Sequence, residues 1–344
     1  MNIKRKIKVL IVDDSLVFRE ALAKGISSDQ GIEVVGKASD PFMARDMIIE
    51  LQPDVMTLDV EMPKMNGIEF LQRLMPQYPI PVVVVSGTSK NVFEALRAGA
   101  VDFVTKPDVS SPRGFEMLVN ELVVKIKIAS MAKVGKWKNE GAVQRAGGRL
   151  NTVASDGIIA IGASTGGTEA IFEVLKRFSK DMPGTVIVQH MPPVFTKMYA
   201  ERLNNSCLVE VKEAKTGDEI VPGRVLIAPG DYHMRVKKSG SRYTVECLKG
   251  ERVNGHCPSV DVLFNSVAGL FGGSAIGVIL TGMGYDGAKG LLAMRNKGAR
   301  TIGQDECSCV VYGMPKVAFD IGAVEKQIPL ESISDVIYSI LNSR

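Results

Sequence analysis

Histidine, cysteine and tryptophan are all scarce in this chain, and each scarcity excludes something. Among 344 residues there are three histidines, five cysteines and one tryptophan. Five is odd, and the cysteines all fall in the second half, so they do not form the paired framework of a disulfide-stapled domain. Cys307-Ser308-Cys309 lacks the two-residue spacer and second ligand pair of a zinc site and reads as free thiols. No apolar run reaches about 18 residues, which argues against a transmembrane helix. The start MNIKRKIKVLIVDD passes from basic residues straight into a strand pattern, without a signal-peptide h-region and cleavage site. A reducing cytoplasm is the expected setting.

Charge of one sign is also missing from the bulk of the chain. Residues 1–128 carry 16 Lys+Arg against 17 Asp+Glu, residues 129–152 carry 5 against 1, and residues 153–344 carry 21 against 20. The excess of +4 therefore lies in the middle segment, and neither half has the basic face or reading motif of a nucleic-acid binder.

What is present is alternation of strand and helix patterns, in a chain long enough for two domains. KVLIVDD, IEVVGKAS, DVMTLDV, PVVVVSG and VDFVTK read as buried strands, with FREALAKGI, PFMARDMIIEL, GIEFLQRLM and NVFEALRAGA as helices between them and FEMLVNELVVKIKIA closing the unit. Residues 129–152, which hold Trp137, have four glycines and no sustained period, and read as a basic linker. A second series runs over 153–344: strands IIAIGAS, TVIVQH, RVLIAPG and AIGVILTGMG alternate with four helical segments, and MRVKKSGSRYTVECL carries a hairpin signal at Ser239-Gly240. The expected fold is α/β: two doubly wound, three-layer parallel sheets, a flavodoxin-like one over 1–128 and a Rossmann-like one with a hairpin over 153–344.

In the first half, Asp13 and Asp14 follow the first strand, Asp59 ends the third, Ser86 the fourth and Lys106 the fifth. Parallel strands bring these ends to one edge. Three close carboxylates repel unless balanced, and hard oxygen donors suit Mg²⁺, which keeps waters and bridges to phosphate oxygens. Helix capping explains one or two aspartates, not a set spread over four strand ends. Across nearly all of residues 7–128 the chain resembles the receiver domain of response regulators, through IVDDS, LDVEMPKMNG, VVSG and TKP. The resemblance implies that a histidine kinase phosphorylates Asp59, and that Mg²⁺ sits on Asp13, Asp14, Asp59 and the backbone carbonyl of Glu61. It further implies that Ser86 and Lys106 hold the phosphoryl group, that Phe103 is the aromatic switch, and that Lys106–Pro107 is a cis peptide.

In the second half, IIAIGASTGG poses a choice between a phosphate-cradling loop and a nucleophile turn. The dinucleotide fingerprint needs glycine where Ser164 stands and an acidic end to the next strand, which instead ends in His190; no Gly-Lys-Ser/Thr follows either. Gly162-Ala163-Ser164-Thr165-Gly166 does match G-x-S-x-G on a strand-to-helix turn, with small residues that permit a tight, strained elbow. A serine nucleophile needs a base. His190 ends the strand after the elbow helix, whereas His233 opens a hairpin and His256 lies in a loop and reads as structural. For the carboxylate, Asp286 in TGMGYDG is better placed, although it could simply cap the next helix; Asp231 in APGDYH is the alternative. The glycines around Asp286 also free backbone N–H groups for an oxyanion hole.

With GASTGG, VQHMP, APGDYHM and LTGMGYDG behind a receiver, the whole chain resembles the family of chemotaxis receptor methylesterases. The resemblance implies hydrolysis of glutamate γ-methyl esters on methyl-accepting chemotaxis receptors by Ser164, His190 and Asp286, with no cofactor for that step. It places the Met283 amide at the oxyanion and Thr165 in the site, and some members also deamidate receptor glutamines. It implies too that the receiver inhibits until phosphorylated by the pathway's histidine kinase, that no nucleic acid is involved, and that the membrane is met only through receptors.

Overall fold

The computed structural model describes residues 5–63, 65–87, 91–107, 112–135 and 157–343. The chain divides into two compact units, each with its own sheet. Trp137 and most of the basic segment lie outside the described residues. Among the described residues no helix is long and apolar enough to cross a membrane.

The first unit runs β1 (Ile7–Val12), α1 (Leu16–Ile26), β2 (Ile32–Ala38), α2 (Pro41–Leu51), β3 (Val55–Leu58), α3 (Gly67–Leu74), β4 (Val82–Ser86), α4 (Val92–Arg97), β5 (Asp102–Thr105) and α5 (Pro112–Ala129). The strands pair in parallel in the order β2-β1-β3-β4-β5. Apolar residues in unbroken succession, as in the wholly buried β4 VVVVS, suit strands covered on both faces. Helices begin where a short polar side chain takes up free amides: Ser15 accepts from Phe18, Asp40 from Phe42 and Met43, Asn66 from Glu69. The order reverses between β1 and β3, which opens a crevice at their carboxyl ends.

The second unit contains β6 (Ile158–Ala163), α6 (Gly167–Leu175), β7 (Gly184–Gln189), α7 (Phe195–Ser206), β8 (Glu210–Glu213) and β9 (Arg224–Ile227). The hairpin β10 (His233–Ser239) and β11 (Arg242–Leu248) leads to α8 (Val260–Phe271) and β12 (Ala275–Ile279). Then come α9 (Ala288–Asn296), β13 (Arg300–Gln304), α10 (Met314–Asp320), β14 (Lys326–Ile328) and α11 (Ile333–Asn342). Seven parallel strands line up as β14-β13-β12-β6-β7-β9-β8. The core gathers Ile158, Val186 and Leu226 from the sheet, Phe264 and Val267 from α8, and Met234 and Val245 from the hairpin. Burial of these side chains is worth roughly 1.5–3 kcal/mol each. β6 sits centrally, so its carboxyl end is flanked by chain on both sides.

Both units are doubly wound α/β. The second sheet is wider than the four expected strands, gaining β8, β13 and β14. Among the described residues the one cis peptide is Cys257–Pro258; the expected cis Lys106–Pro107 bond is trans, the form that X–Pro bonds prefer by about 0.5–1 kcal/mol unless their surroundings dictate otherwise.

Candidate active site

The nucleophile candidate leaves the central strand through a glycine turn. Gly167 N–H donates to the Ser164 carbonyl (2.7 Å), and Gly166 stands between them at φ 77°, ψ −5°. These are the dihedrals of the third residue of a type II turn, which favours glycine because φ is positive. The expected strained elbow is therefore corrected: Ser164 itself has no left-handed φ, because Gly166 absorbs the reversal. Ser164 remains half-buried at the rim, with Thr165 buried beside it.

Two further residues hold this turn. Thr281 accepts the Ser164 N–H on its carbonyl (3.0 Å) and donates its hydroxyl to the Thr165 carbonyl (3.0 Å). Gln189 Nε2 donates to the carbonyls of Ser164 (2.9 Å) and His190 (3.2 Å). Both lie inside the stretches LTGMGYDG and VQHMP, but there each reads only as a polar residue at the end of a buried strand.

Register brings the base alongside. β6 pairs with β7 so that Ala163 faces Gln189, and the His190 N–H donates to the Ala163 carbonyl (3.1 Å). The His190 side chain is 7% exposed, and its Nε2 lies 2.9 Å from Asp286 Oδ2. Its other nitrogen, Nδ1, is buried without a partner among the described residues. A buried orphan acceptor costs roughly 1–3 kcal/mol. No hydrogen bond joins Ser164 to His190 in this resting arrangement, and catalytic contacts of this kind often tighten only with substrate.

Asp286 is not the cap of the helix that follows it. α9 starts behind Gly287 without a side-chain cap, and Asp286 points instead at the N-terminus of α8. It accepts from Val260 N–H (2.7 Å), Asp261 N–H (3.3 Å), the Ser259 hydroxyl (2.7 Å) and Asn254 Nδ2 (2.8 Å). Burial works to raise its pKa, but the bond and charge of His190, with Asn254 and Ser259, outweigh it and hold the carboxyl at about 2. The helix dipole acts in the same sense. Asp231 is exposed and off this network; its backbone N–H donates to the Cys257 carbonyl. His233 is spent on structure, 5% exposed between the Glu251 carbonyl and the Ser259 N–H.

Gly282 crowds the nucleophile: a Cβ there would lie 2.6 Å from Ser164 Cβ. That contact brings the next amide, of Met283, into the neighbourhood of Ser164. Among the described residues no acceptor takes the Met283 N–H. His256, read from sequence as structural, in fact lies flat on His190, with ring centroids 3.7 Å apart and planes at 7°.

In the first unit, ligand atoms of Asp13, Asp14 and Asp59 lie within 4.8 Å of one another, with Asp13 and Asp59 buried and Asp14 exposed. Lys106 Nζ donates to both Asp13 Oδ2 and Asp59 Oδ2, each at 2.7 Å. Ser86 is fully buried at the end of β4, and the Glu61 N–H donates to Asp59 Oδ1 (2.9 Å). Phe103 is buried with Lys125 Nζ 4.9 Å from its ring centroid. One ammonium faces two buried carboxylates. Desolvation first, and the charge of Asp59 among the remaining causes, raise the Asp13 pKa in spite of Lys106. A pocket of oxygen donors with surplus negative charge fits a small divalent cation.

Residues 159–337 match the family described as CheB methylesterase, and residues 9–112 the response regulator receiver domain. The chain is 62% identical over 339 residues to a protein-glutamate methylesterase/protein-glutamine glutaminase of Syntrophomonas wolfei, covering 98% of each chain. It is 54% identical over 351 residues to the enzyme of the same name from Syntrophotalea carbinolica, covering 99% of each. The crystal structure of the Thermotoga maritima CheB methylesterase catalytic domain is 37% identical, covers 54% of this chain and 99% of that one, and superposes with a TM-score of 0.53.

Proposed function

The chain belongs to the CheB methylesterase family, and we propose that it hydrolyses glutamate γ-methyl esters of methyl-accepting chemotaxis receptors through Ser164, His190 and Asp286. The observation that carries this reading is the His190 imidazole, tied by Nε2 to a carboxylate held at about pKa 2 while buried Nδ1 is left as an unpaired acceptor at the nucleophile's end of the sheet. A proton fixed on Nε2 leaves Nδ1 as the base.

Ser164 Oγ attacks the ester carbonyl as His190 Nδ1 takes its proton, and Asp286 stabilises the imidazolium. The Met283 N–H, with a second backbone donor at the Ser164 turn, receives the developing oxyanion; loss of one such donor typically costs roughly 2.7–4 kcal/mol. His190 returns its proton to methoxide, methanol leaves, and water repeats the cycle on the acyl-enzyme. Glutamine offers the same acyl group with ammonia as leaving group. That chemistry matches the glutaminase half of the relatives' names.

The receiver gives phosphorylation control. Asp59 accepts a phosphoryl group from the pathway's histidine kinase, Lys106 and Ser86 hold its oxygens, and Phe103 responds to the new charge. Asp13, Asp14, Asp59 and the Glu61 carbonyl would hold Mg²⁺, which when bound supplies compact positive charge to offset carboxylates and phosphoryl oxygens. The receiver restrains the esterase until Asp59 is phosphorylated.

The test is methanol release from methylated receptor membranes. S164A should abolish it and also abolish labelling by a serine-directed organophosphonate. Retention of more than a few per cent of activity would remove Ser164 from the mechanism.

A further inference from the structure

His256 and Asn254 belong to one four-residue turn. Val253 and His256 exchange backbone hydrogen bonds at 3.0 Å in each direction. Between them Asn254 (φ 53°) and Gly255 (φ 84°) are both left-handed, the sign pattern of a type I′ turn and the reason Asn-Gly suits it. The turn delivers two side chains to two different members of the hydrolytic site. Asn254 Nδ2 donates to Asp286 Oδ1 (2.8 Å) and to Asp261 Oδ2 (2.7 Å), so one amide sits between two buried carboxylates. The His256 ring lies parallel to His190 at 3.7 Å.

Resting on the hydrolase reading above, we propose that the turn at residues 253–256 is a positioning element for the base, with His256 fixing the plane of the His190 imidazole and Asn254 fixing the Asp286 carboxylate that orients it. The need for such an element follows from the contacts His190 lacks. Nδ1 has no partner, and a ring bonded at one nitrogen alone can swing about that bond. A flat aromatic face at van der Waals distance removes that freedom and holds Nδ1 in one direction. The face also carries the polarity the reaction needs. Burial first, then the charge of His190, lower the His256 pKa to about 4, so His256 is neutral at working pH and presents an electron-rich face to the imidazolium formed during proton transfer. The charged and titratable groups facing the stacked pair are Asp286 and Arg252, with Asp261 behind Asn254. Both positioning residues act through others. Neither is a nucleophile, acid or base.

The experiment uses the full chain with a phosphodonor, methylated receptor membranes and a kcat and kcat/KM profile against pH, alongside denaturant midpoints. H256A is expected to lower kcat by between about 10- and 100-fold, the scale of a misplaced catalytic group, with KM and midpoint unchanged. H256F, which restores a neutral face, should recover most of that loss. H256R keeps a planar group but adds a cation beside His190; the acid limb of kcat/KM should move down by about one pH unit and kcat stay low. N254G keeps the left-handed turn, removes the donor and adds no charge, and should lower kcat without changing KM. Wild-type kcat in H256A, H256F as slow as H256A, an unmoved acid limb in H256R, or wild-type kcat in N254G would each overturn the proposal. S164A in the same assay separates the two levels. If it stays active the hydrolase reading fails; if it is dead while H256A is fully active, only the positioning role fails.

Discussion

Replacing Asp286 by asparagine tests the centre of the site with nearly no change in volume. The carboxylate accepts five hydrogen bonds, two on Oδ2 from Val260 N–H and His190 Nε2, and three on Oδ1 from Asn254, Ser259 and the Asp261 N–H. An amide has one acceptor oxygen, so its NH₂ must face donors whichever way it turns. With the NH₂ at the Oδ2 position it confronts the Val260 N–H and donates to His190 Nε2. The imidazole proton then moves to Nδ1, and the base is lost. Turning a carboxylate into an amide in a Ser-His-Asp site lowers kcat by about four orders of magnitude, which is about 5.4 kcal/mol of transition-state stabilisation. D286N should show that loss in methanol release, with KM little changed. Stability falls as well. A carboxyl moved from 3.8 to about 2 contributes on the order of 2–2.5 kcal/mol to folding. Because the folded value is depressed, this contribution is complete above about pH 4 and fades as pH falls through about 2; D286N lacks it at neutral pH. Denaturant midpoints and single-turnover kinetics on one preparation read both effects. D286N within tenfold of wild-type kcat would refute the assignment of Nε2 as the proton-bearing nitrogen.

The receiver yields three further measurements. Beryllofluoride or a small-molecule phosphodonor with Mg²⁺ should raise the esterase rate, and D59N should abolish the response; an unchanged response would place the acceptor elsewhere. K106A leaves buried Asp13 and Asp59 facing each other without their ammonium, so the unit should lose about 3 kcal/mol of stability. Millimolar Mg²⁺ should return part of that, and a midpoint insensitive to Mg²⁺ would contradict the cation pocket. In the other unit, G282A puts a Cβ 2.6 Å from Ser164 Cβ and 2.5 Å from Met314 Sδ. Stability should fall by about 1–3 kcal/mol, and organophosphonate labelling of Ser164 should fall further than stability accounts for.

The fold class was legible because buried parallel strands announce themselves as apolar runs, unbroken over VLIV of β1, VVVV of β4 and all of β6 and interrupted by single polar residues in others, spaced by helical patterns. What escaped notice is short or mixed. β8 is Glu-Val-Lys-Glu at a sheet edge, β14 is three residues, and β13 carries Arg300 and a glycine. None presents the β-branched run that marks a covered strand. Ser164, His190 and Asp286 were legible because each follows the carboxyl end of a buried strand, Ser164 and Asp286 among glycines. The groups that aim them were not. Thr281, Gln189, Ser259 and Asn254 reach their partners across separations of 25 to 117 residues or through backbone carbonyls, and His256 meets His190 from 66 residues away. A single sequence carries no trace of such pairings. The strain that G-x-S-x-G permits at serine is absent for a local reason: the glycine two residues on takes the positive φ instead.

Both sites rest on aspartates at the carboxyl edge of a parallel sheet, and the donors around them decide opposite uses. Asp286 receives four neutral donors and one imidazole, at the N-terminus of a twelve-residue helix. Its charge is fully compensated where it stands, so it stays ionised, needs no metal and serves only to orient and stabilise its neighbour. Asp13 and Asp59 share a single lysine and sit beside Asp14, which leaves negative charge uncompensated; burial first, and then the charge of Asp59, raise the Asp13 pKa. A pocket in that condition gains from a divalent cation, and once the cation is bound it can accept a further anionic group that Asp286 would repel. Adding a donor to the receiver pocket should therefore weaken Mg²⁺ binding. Removing one from Asp286 should raise its pKa toward 3.8 without creating a metal site. Mg²⁺ titrations of K106R and N254G, read by isothermal calorimetry, separate these outcomes: tight binding that requires Asn254 to be lost would break the distinction between the two pockets.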